Sequence, residues 1–319
     1  MGTSMYRQPT FLILIGSVVA FLAFFTILGA VLKKRAESPE SIATIDNLNA
    51  RVRAWWGMVA LFGGAVVFGP TVTLIFFGIL SFMAFREFIT LTPTRLGDHR
   101  ALFICFFIVI PLQYWLISIN WYGLFAVLVP VYVFILLPAV SAIAGDTQDF
   151  LARSAKVQFG LLLTVYALSN APALLMLTDI PDYRLPPALL LLYLMVVVQM
   201  SDVFQYVCGK LFGRTKLAPH VSPSKTVEGL VGGGLIAIGI GTLLHVMTPF
   251  SPLQAAGMSA LIVVAGFFGG LVMSAIKRDL GVKDWGSLIE GHGGILDRMD
   301  SVCFAAPLFF QLTRYWFTP

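Results

Sequence analysis

This sequence is poor in charge. Only 12% of its 319 residues are Asp, Glu, Lys or Arg, against 58% hydrophobic, a balance that excludes a soluble domain of ordinary composition. Cysteine is scarcer still. Cys105, Cys208 and Cys303 fall in or beside apolar runs with no metal-ligand spacing, which excludes a disulfide framework and leaves small buried thiols. No Walker loop, glycine-rich kinase loop or zinc-site spacing occurs, so the commonest phosphate-handling and zinc chemistries are absent. Segments of about ten residues with alternating polarity are missing too, which argues against a membrane β-barrel. No internal repeat suggests the inverted halves of a transporter.

What is present is long runs of Leu, Val, Phe and Ala, near the roughly 20 residues that carry an α-helix across a bilayer. The expected fold class is an all-α, polytopic helical bundle in a membrane. Runs and breaks predict ten spans: Thr10 to Leu32, Ala54 to Phe68, Thr71 to Ile89, Ala101 to Ser118, Trp121 to Ala144, Val157 to Leu177, Pro187 to Tyr206, Val227 to Met247, Leu253 to Ile276 and Met299 to Phe317. The first is too long for an ordinary signal-peptide core and is kept as a span. Gly69-Pro70 is placed between two short spans, because proline ends a helix and the joined run is too long for one.

The formal net charge is +5, but the basic residues sit in short loops, so they report orientation rather than a nucleic-acid partner. With the N-terminus outside, 18 of the 21 basic residues are cytoplasmic and only Arg7, Arg184 and Arg314 are not. Both termini are then expected outside. Ser38-Pro39-Glu40 reads as a helix start, and Ile42, Ile45, Leu48, Val52 and Trp55 follow at helical spacing. This segment, about 39–53, reads as an amphipathic helix. It lies on the cytoplasmic surface with Arg51 and Arg53 at the headgroups, or packs on the protein. The chain divides into an N-terminal transmembrane region, 1–186, and a C-terminal catalytic region, 187–319.

Polar residues collect in two cytoplasmic stretches of the second region. Asp202 sits near the end of a span, where an unpaired carboxylate is costly; an ion pair to another helix, a metal or a substrate would each satisfy it. Asp297 and Asp300 are three apart on the first turn of the last span, so they project from one face, which suits a divalent cation. Helix capping alone would also favour an acidic group there. Gly293 and Gly294 let a backbone approach phosphate oxygens closely. Between Lys277 and Asp300, four basic residues meet five acidic ones, so a polyphosphate would need bound Mg²⁺ and the charges of Lys210, Arg214, Lys216 and Lys225. Carboxylates beside fixed Lys and Arg suit phosphoryl or nucleotidyl transfer. Lys277, Arg278 and Lys283 also fit simple headgroup anchors.

The run Ser274-x-x-Lys277-Arg278, then Lys283-Asp284, then His292-Gly293-Gly294 and Asp297-Arg298-x-Asp300 resembles the signature of the phosphatidate cytidylyltransferase (CDP-diacylglycerol synthase) family. Gly209-Lys210, Phe212-Gly213, Ser222-Pro223 and Lys225-Thr226 resemble its second conserved region. The likeness covers Ser201 to Ser301, with a loose echo at Arg86-Glu87-Phe88. It implies an enzyme in which a lipid phosphate attacks the α-phosphorus of CTP. The products would be CDP-diacylglycerol and pyrophosphate, with Mg²⁺, alone or with a second cation, as cofactor. By the same resemblance, Asp202, Asp284, Asp297 and Asp300 hold metal. Lys225, Lys277, Arg278, Lys283 and Arg298 bind phosphates, with Lys210, Ser222, Gly293 and Gly294 in the substrate site, and His292 hydrogen-bonds a phosphate or the leaving pyrophosphate. A homodimer is implied as well, with phosphatidate or another lipid phosphate and membrane lipids as partners.

Two departures bear on the acceptor. Glu290 stands where the family usually has Pro, and Val203-Phe204-Gln205 is bulkier than the family favours after its aspartate. A polyprenyl or modified glycerol phosphate is therefore an alternative acceptor, and a non-catalytic transporter or scaffold is the reading from another class. The Asp-Gly-x-x-Ala-Arg motif of CDP-alcohol phosphotransferases does not occur. A chain of this length without an organellar presequence is expected in a bacterial inner membrane.

Overall fold

The computed structural model describes residues 9–35, 38–288 and 293–319. Ten helices run in order among them: α1 (Pro9–Arg35), α2 (Pro39–Val67), α3 (Pro70–Thr90), α4 (Leu96–Ser118), α5 (Tyr122–Ile143), α6 (Phe150–Met176), α7 (Ala188–Phe212), α8 (Val227–Met247), α9 (Pro252–Asp279) and α10 (Leu296–Phe317). One antiparallel hairpin, β1 (Lys216–Ala218) and β2 (Ser222–Thr226), joins α7 to α8, pairing Lys216 with Thr226 and Ala218 with Ser222. The chain is an all-α membrane protein. Eight of the helices are long and apolar enough to cross a bilayer, so the expected count of ten is not reached on that measure. α2 and α10 fall outside it, α10 because Asp297, Arg298, Asp300 and Arg314 interrupt its run.

The chain breaks at Gly69-Pro70 as the sequence predicts. Gly69 takes φ +107°, which a side chain rarely tolerates, and Pro70 opens α3. The amphipathic segment and the predicted span after it form one helix, because no breaker stands between residues 53 and 54 and α2 runs unbroken for 29 residues. α2 lies beside α1, where Lys33 pairs with Asp46 at 2.6 Å and Trp56 Nε1 donates to Thr26 Oγ1 at 3.1 Å.

Prolines leave their mark on the middle helices. α5 carries a π turn over Leu128–Val133 that contains Pro130, and α4 carries one over Cys105–Val109 just ahead of Pro111; a residue without an N–H commonly induces such a widening. The larger of two apolar clusters runs from Phe11 in α1 to Phe310 in α10 and includes buried Tyr193 and Phe309, which stack at 5.7 Å. Tyr193 is a polar anchor there: its hydroxyl is 2.7 Å from Ser259 Oγ and 3.0 Å from the Ala255 carbonyl. Cys105, Cys208 and Cys303 are buried and free, as expected of small apolar fillers.

Helix alternation gathers one set of charged ends: the C-termini of α3, α5, α7 and α9 and the N-termini of α4, α6, α8 and α10. Part of that end is pinned by a charge cluster. Arg153 donates Nη1 to Asp146 Oδ2 and Nη2 to the Asp146 carbonyl, both at 2.9 Å, while Arg95 Nε reaches the same carboxylate at 2.8 Å. Asp98 Oδ2 lies 3.6 Å from Arg153 Nε. The Arg153 and Arg95 guanidiniums hold the Asp146 carboxyl at about 2, below its ordinary 3.8. A carboxyl held low stabilises the fold above its unfolded pKa and gives that up as pH falls through the folded one. Asp146→Asn is therefore expected to melt below the wild type at pH 7. The gap between the two should hold down to about pH 4 and close toward pH 2; melting curves across that range that stay parallel would refute the assignment.

Candidate active site

Four segments distant in sequence meet at this charged end: the C-terminal part of α7, strand β2, the end of α9 and the start of α10. Their closeness begins with backbone packing. A side chain on Gly233 of α8 would strike the backbone of Phe204 and Gln205, and one on Gly229 would lie 2.8 Å from the Gln205 carbonyl. Glycine at these positions lets α7 and α8 touch backbone to backbone, which fixes the turn bearing Asp202. The bulky Val203-Phe204-Gln205 is part of this contact, and Gln205 Nε2 donates to Ser201 Oγ at 2.6 Å. The hairpin is strapped down by Glu228, whose carboxylate accepts from the Arg214 amide at 3.0 Å and the Thr215 amide at 3.1 Å. Thr226 caps α8 by accepting from the Gly229 amide.

Asp202 and Asp300 face each other across this junction, and each carboxylate feels the fields of Lys225 and Arg298. Lys277 acts on Asp300 as well. Neither carboxylate is spent on an ion pair among the described residues. Asp202 accepts from Ser301 Oγ at 3.1 Å, and Asp300 Oδ1 accepts from the Ser301 amide at 2.8 Å. Asp202 keeps exposed surface although its helix is a candidate span. Lys225 reaches across to α9, where its ammonium donates to the Phe267 carbonyl at 3.1 Å and lies 4.5 Å above that ring. Burial pushes its pKa down, and Asp202 and Asp300 work against that. A Cβ at Gly270 would sit 2.7 Å from the Lys225 Nζ, so the glycine makes room for this crossing. Arg298 Nε is buried without a hydrogen-bond partner among the described residues.

Asp297 plays another part. Its Oδ1 accepts from Lys277 Nζ at 2.6 Å, and its Oδ2 from the amides of Trp285 at 2.8 Å and Gly294 at 2.9 Å. Three donors occupy both oxygens, so the carboxylate is a strut between α9, α10 and the loop that joins them. Gly294 accordingly spends its N–H on Asp297 rather than offering it to a phosphate. Gly293 takes φ +80°, and a side chain there would strike Asp297 and crowd Asp284.

Glu87 is the residue that sequence reasoning passed over, met only inside the echo Arg86-Glu87-Phe88. It enters from α3, nearly buried, and accepts from the amides of Ile295 at 2.9 Å and Leu296 at 2.8 Å. A carboxylate thus seals the N-terminus of α10 with the negative charge that a helix dipole favours there. Beside it, Phe88 stacks on Trp285 at 5.3 Å. The available signal was an acidic residue inside an apolar run, which demands a partner.

The other predicted residues lie toward the rim. Lys283 and Asp284 are exposed on the loop, and Arg278, also exposed, donates to the carbonyls of Val282 at 3.1 Å and Val221 at 3.4 Å, tying the loop to the hairpin turn. Lys210 lies over the Tyr206 ring at 5.7 Å, and Ser222 opens β2. His292 and Glu290 lie outside the described residues.

Do these groups fit the implied Mg²⁺? Asp202 and Asp300 do, because they offer hard oxygens with free lone pairs. No cage of three or more His, Cys, Asp or Glu exists among the described residues, yet Mg²⁺ ordinarily uses one or two carboxylates and completes its shell with water and substrate phosphates. Asp297 already accepts from three donors, with one acceptor site left on Oδ1.

Comparison with known proteins agrees with this arrangement. Residues 49–316 match the model of the cytidylyltransferase family. The chain is 44% identical to an uncharacterized protein, YnbB, of Escherichia coli over 83% of its own length and 87% of that protein's. It is 41% identical to a phosphatidate cytidylyltransferase of Bacillus subtilis over 39% of this chain and 47% of that enzyme. With the Aquifex aeolicus enzyme of that name it shares 37% over 40% and 53%, so it spans about half the length of these named relatives. Family model, membrane fold and charged junction converge: the chain belongs to the cytidylyltransferase family.

Proposed function

We propose that this protein transfers the cytidylyl group of CTP to a lipid phosphate, phosphatidate first among acceptors, at the cytoplasmic face of a bacterial inner membrane. The observation that carries this reading is the meeting of Asp202 and Asp300 with Lys225 and Arg298 at the charged end of the bundle. Acidic groups free to take a cation beside fixed basic ones are what a triphosphate and a phosphate acceptor need to approach each other. The sorting of 18 of 21 basic residues supports placing this end in the cytoplasm and both termini outside.

In the reaction, an oxygen of the lipid phosphate bonds to the α-phosphorus of CTP. The bond from that phosphorus to the bridging oxygen breaks, and its electron pair departs with pyrophosphate. The attacking oxygen arrives ionised, so no general base is needed. Mg²⁺ held by Asp202 and Asp300 would polarise the phosphate oxygens and offset their charge. Lys225 and Arg298 steady the phosphates, Arg298 with the buried Nε that lacks a partner within the described chain. Lys277, fixed by Asp297, adds positive charge at the junction.

A second acceptor class has its own support. The match to YnbB follows most of the chain, while the match to the named phosphatidate enzymes covers 39–40% of it, so the remainder has room to shape a different lipid pocket. The purified protein, supplied with CTP, Mg²⁺ and phosphatidate or a polyprenyl phosphate, should release pyrophosphate with at least one lipid and form the matching CDP-lipid. Chelation of Mg²⁺ should stop it. Silence across the acceptor panel would overturn the enzymatic reading, and turnover with polyprenyl phosphate alone would move the assignment to that class.

A further inference from the structure

The opposite end of the bundle, where α10 finishes, holds a cavity of about 520 Å³ lined by Tyr122, Gln311, Leu312, Arg314, Tyr315 and Thr318, with Pro319 at its edge. Arg314 dominates it. The guanidinium carbon stands 3.8 Å from the centre of the Tyr122 ring, a stacking that fixes the plane of the fork and leaves its edge free to donate. Among the described residues no carboxylate pairs with Arg314, although Asp179 and Asp182 occupy the connection at the same end. Tyr122 does not compete for the fork's ligand, since its hydroxyl is held by Gln311 Oε1 at 2.7 Å, and Gln311 Nε2 continues toward Asn170 Oδ1 at 3.5 Å.

An uncompensated, pre-oriented guanidinium in a cavity asks for an anion, and the planar fork suits two oxygens of one phosphate. Depth chooses the source. Trp121, Tyr315 and Trp316 are all exposed around the same level, and exposed Trp and Tyr collect where a bilayer's headgroups begin. The rim is apolar, with Leu312 and Tyr315 placed to meet the start of an acyl chain.

We infer that Arg314, stacked on Tyr122, binds the phosphate of an anionic phospholipid in the leaflet opposite the candidate active site. The site is separate from the reacting junction and does not depend on the reaction proposed for it. Its ligand is a resident lipid that ties the end of α10 to the turn between α4 and α5.

The test is the melting temperature of the full chain in detergent with dioctanoyl phosphatidylglycerol, dioctanoyl phosphatidylcholine or inorganic phosphate. Phosphatidylglycerol at saturation should raise it by roughly 4 °C, and the other two should not. Arg314→Gln should lose that rise, while Lys225→Met, which alters the other phosphate site, should keep it. Should Arg314→Gln fail to fold, Arg314→Lys keeps the charge without the fork and should lose most of the rise. An equal rise in the Arg314 variants, an equal rise with phosphatidylcholine, or no rise at all would overturn the site. A full rise with inorganic phosphate would overturn the lipid as its source.

Discussion

Asp300→Asn is expected to lower pyrophosphate release from CTP by ~10³-fold or more while leaving the fold as stable as before. The magnitude follows from what a carboxylate at a metal site contributes to transition-state charge, several kcal/mol at 1.36 kcal/mol per factor of ten. The stability expectation follows from the neighbours. Asp300 and Asp202 repel each other, and neither has an ion pair within 4.0 Å among the described residues. Removing one charge relieves that repulsion, and the amide oxygen of Asn can still accept from the Ser301 amide. A merely structural Asp300 would behave oppositely, so melting and turnover must be measured on the same preparation. Activity within tenfold of the wild type would sink the metal-site role, and so would a loss of activity that only tracks a loss of folding.

Glu87→Gln should be the most damaging conservative change away from the reacting groups. The carboxylate accepts from two backbone amides at the start of α10, each a charge-assisted bond of about 1.5–3 kcal/mol. An amide side chain supplies one acceptor and turns an N–H toward the other donor. We expect the melting temperature to fall by several degrees and kcat/KM for CTP to fall ~10²-fold, since Asp300 rides on the helix that Glu87 seals. Hydrogen exchange gives the readout specific to a positioning role: the amides of Ile295 and Leu296 should exchange much faster in the variant, while those of α7 should not change. Unaltered exchange at residues 295 and 296 would refute the capping role even if activity fell.

These two residues mark how far the sequence could be read. Asp300 was legible because it sits in a dense motif, and the apolar runs around it announce helices in lipid. The family and the helical fold follow from those same features. Asp297 was legible as important but not in its duty, because a capping carboxylate and a metal ligand look identical at a helix start. Only the three donors on its oxygens separate the two. Glu87 was nearly invisible because its partners lie more than 200 positions away, and local pattern carries no information about such a contact. The short hairpin escaped for another reason. Strands of three and five residues are too brief for periodicity to register. Arg153 read as one more loop charge, although it is buried in a cluster with Asp98 and Asp146.

The long reach of Glu87 also sets a schedule for synthesis. Its partner amide in Leu296 is made 209 residues later, a wait of roughly 10–40 s at 5–20 residues per second. Through that interval α3 must sit in the bilayer with an ionisable side chain unmatched. Glu87 stands three residues from the end of α3, close enough to the aqueous boundary to stay hydrated, where a carboxylate at mid-membrane would burden insertion. Its address on the helix thus lets the nascent chain carry an unfinished contact without mishap until α10 arrives to close it.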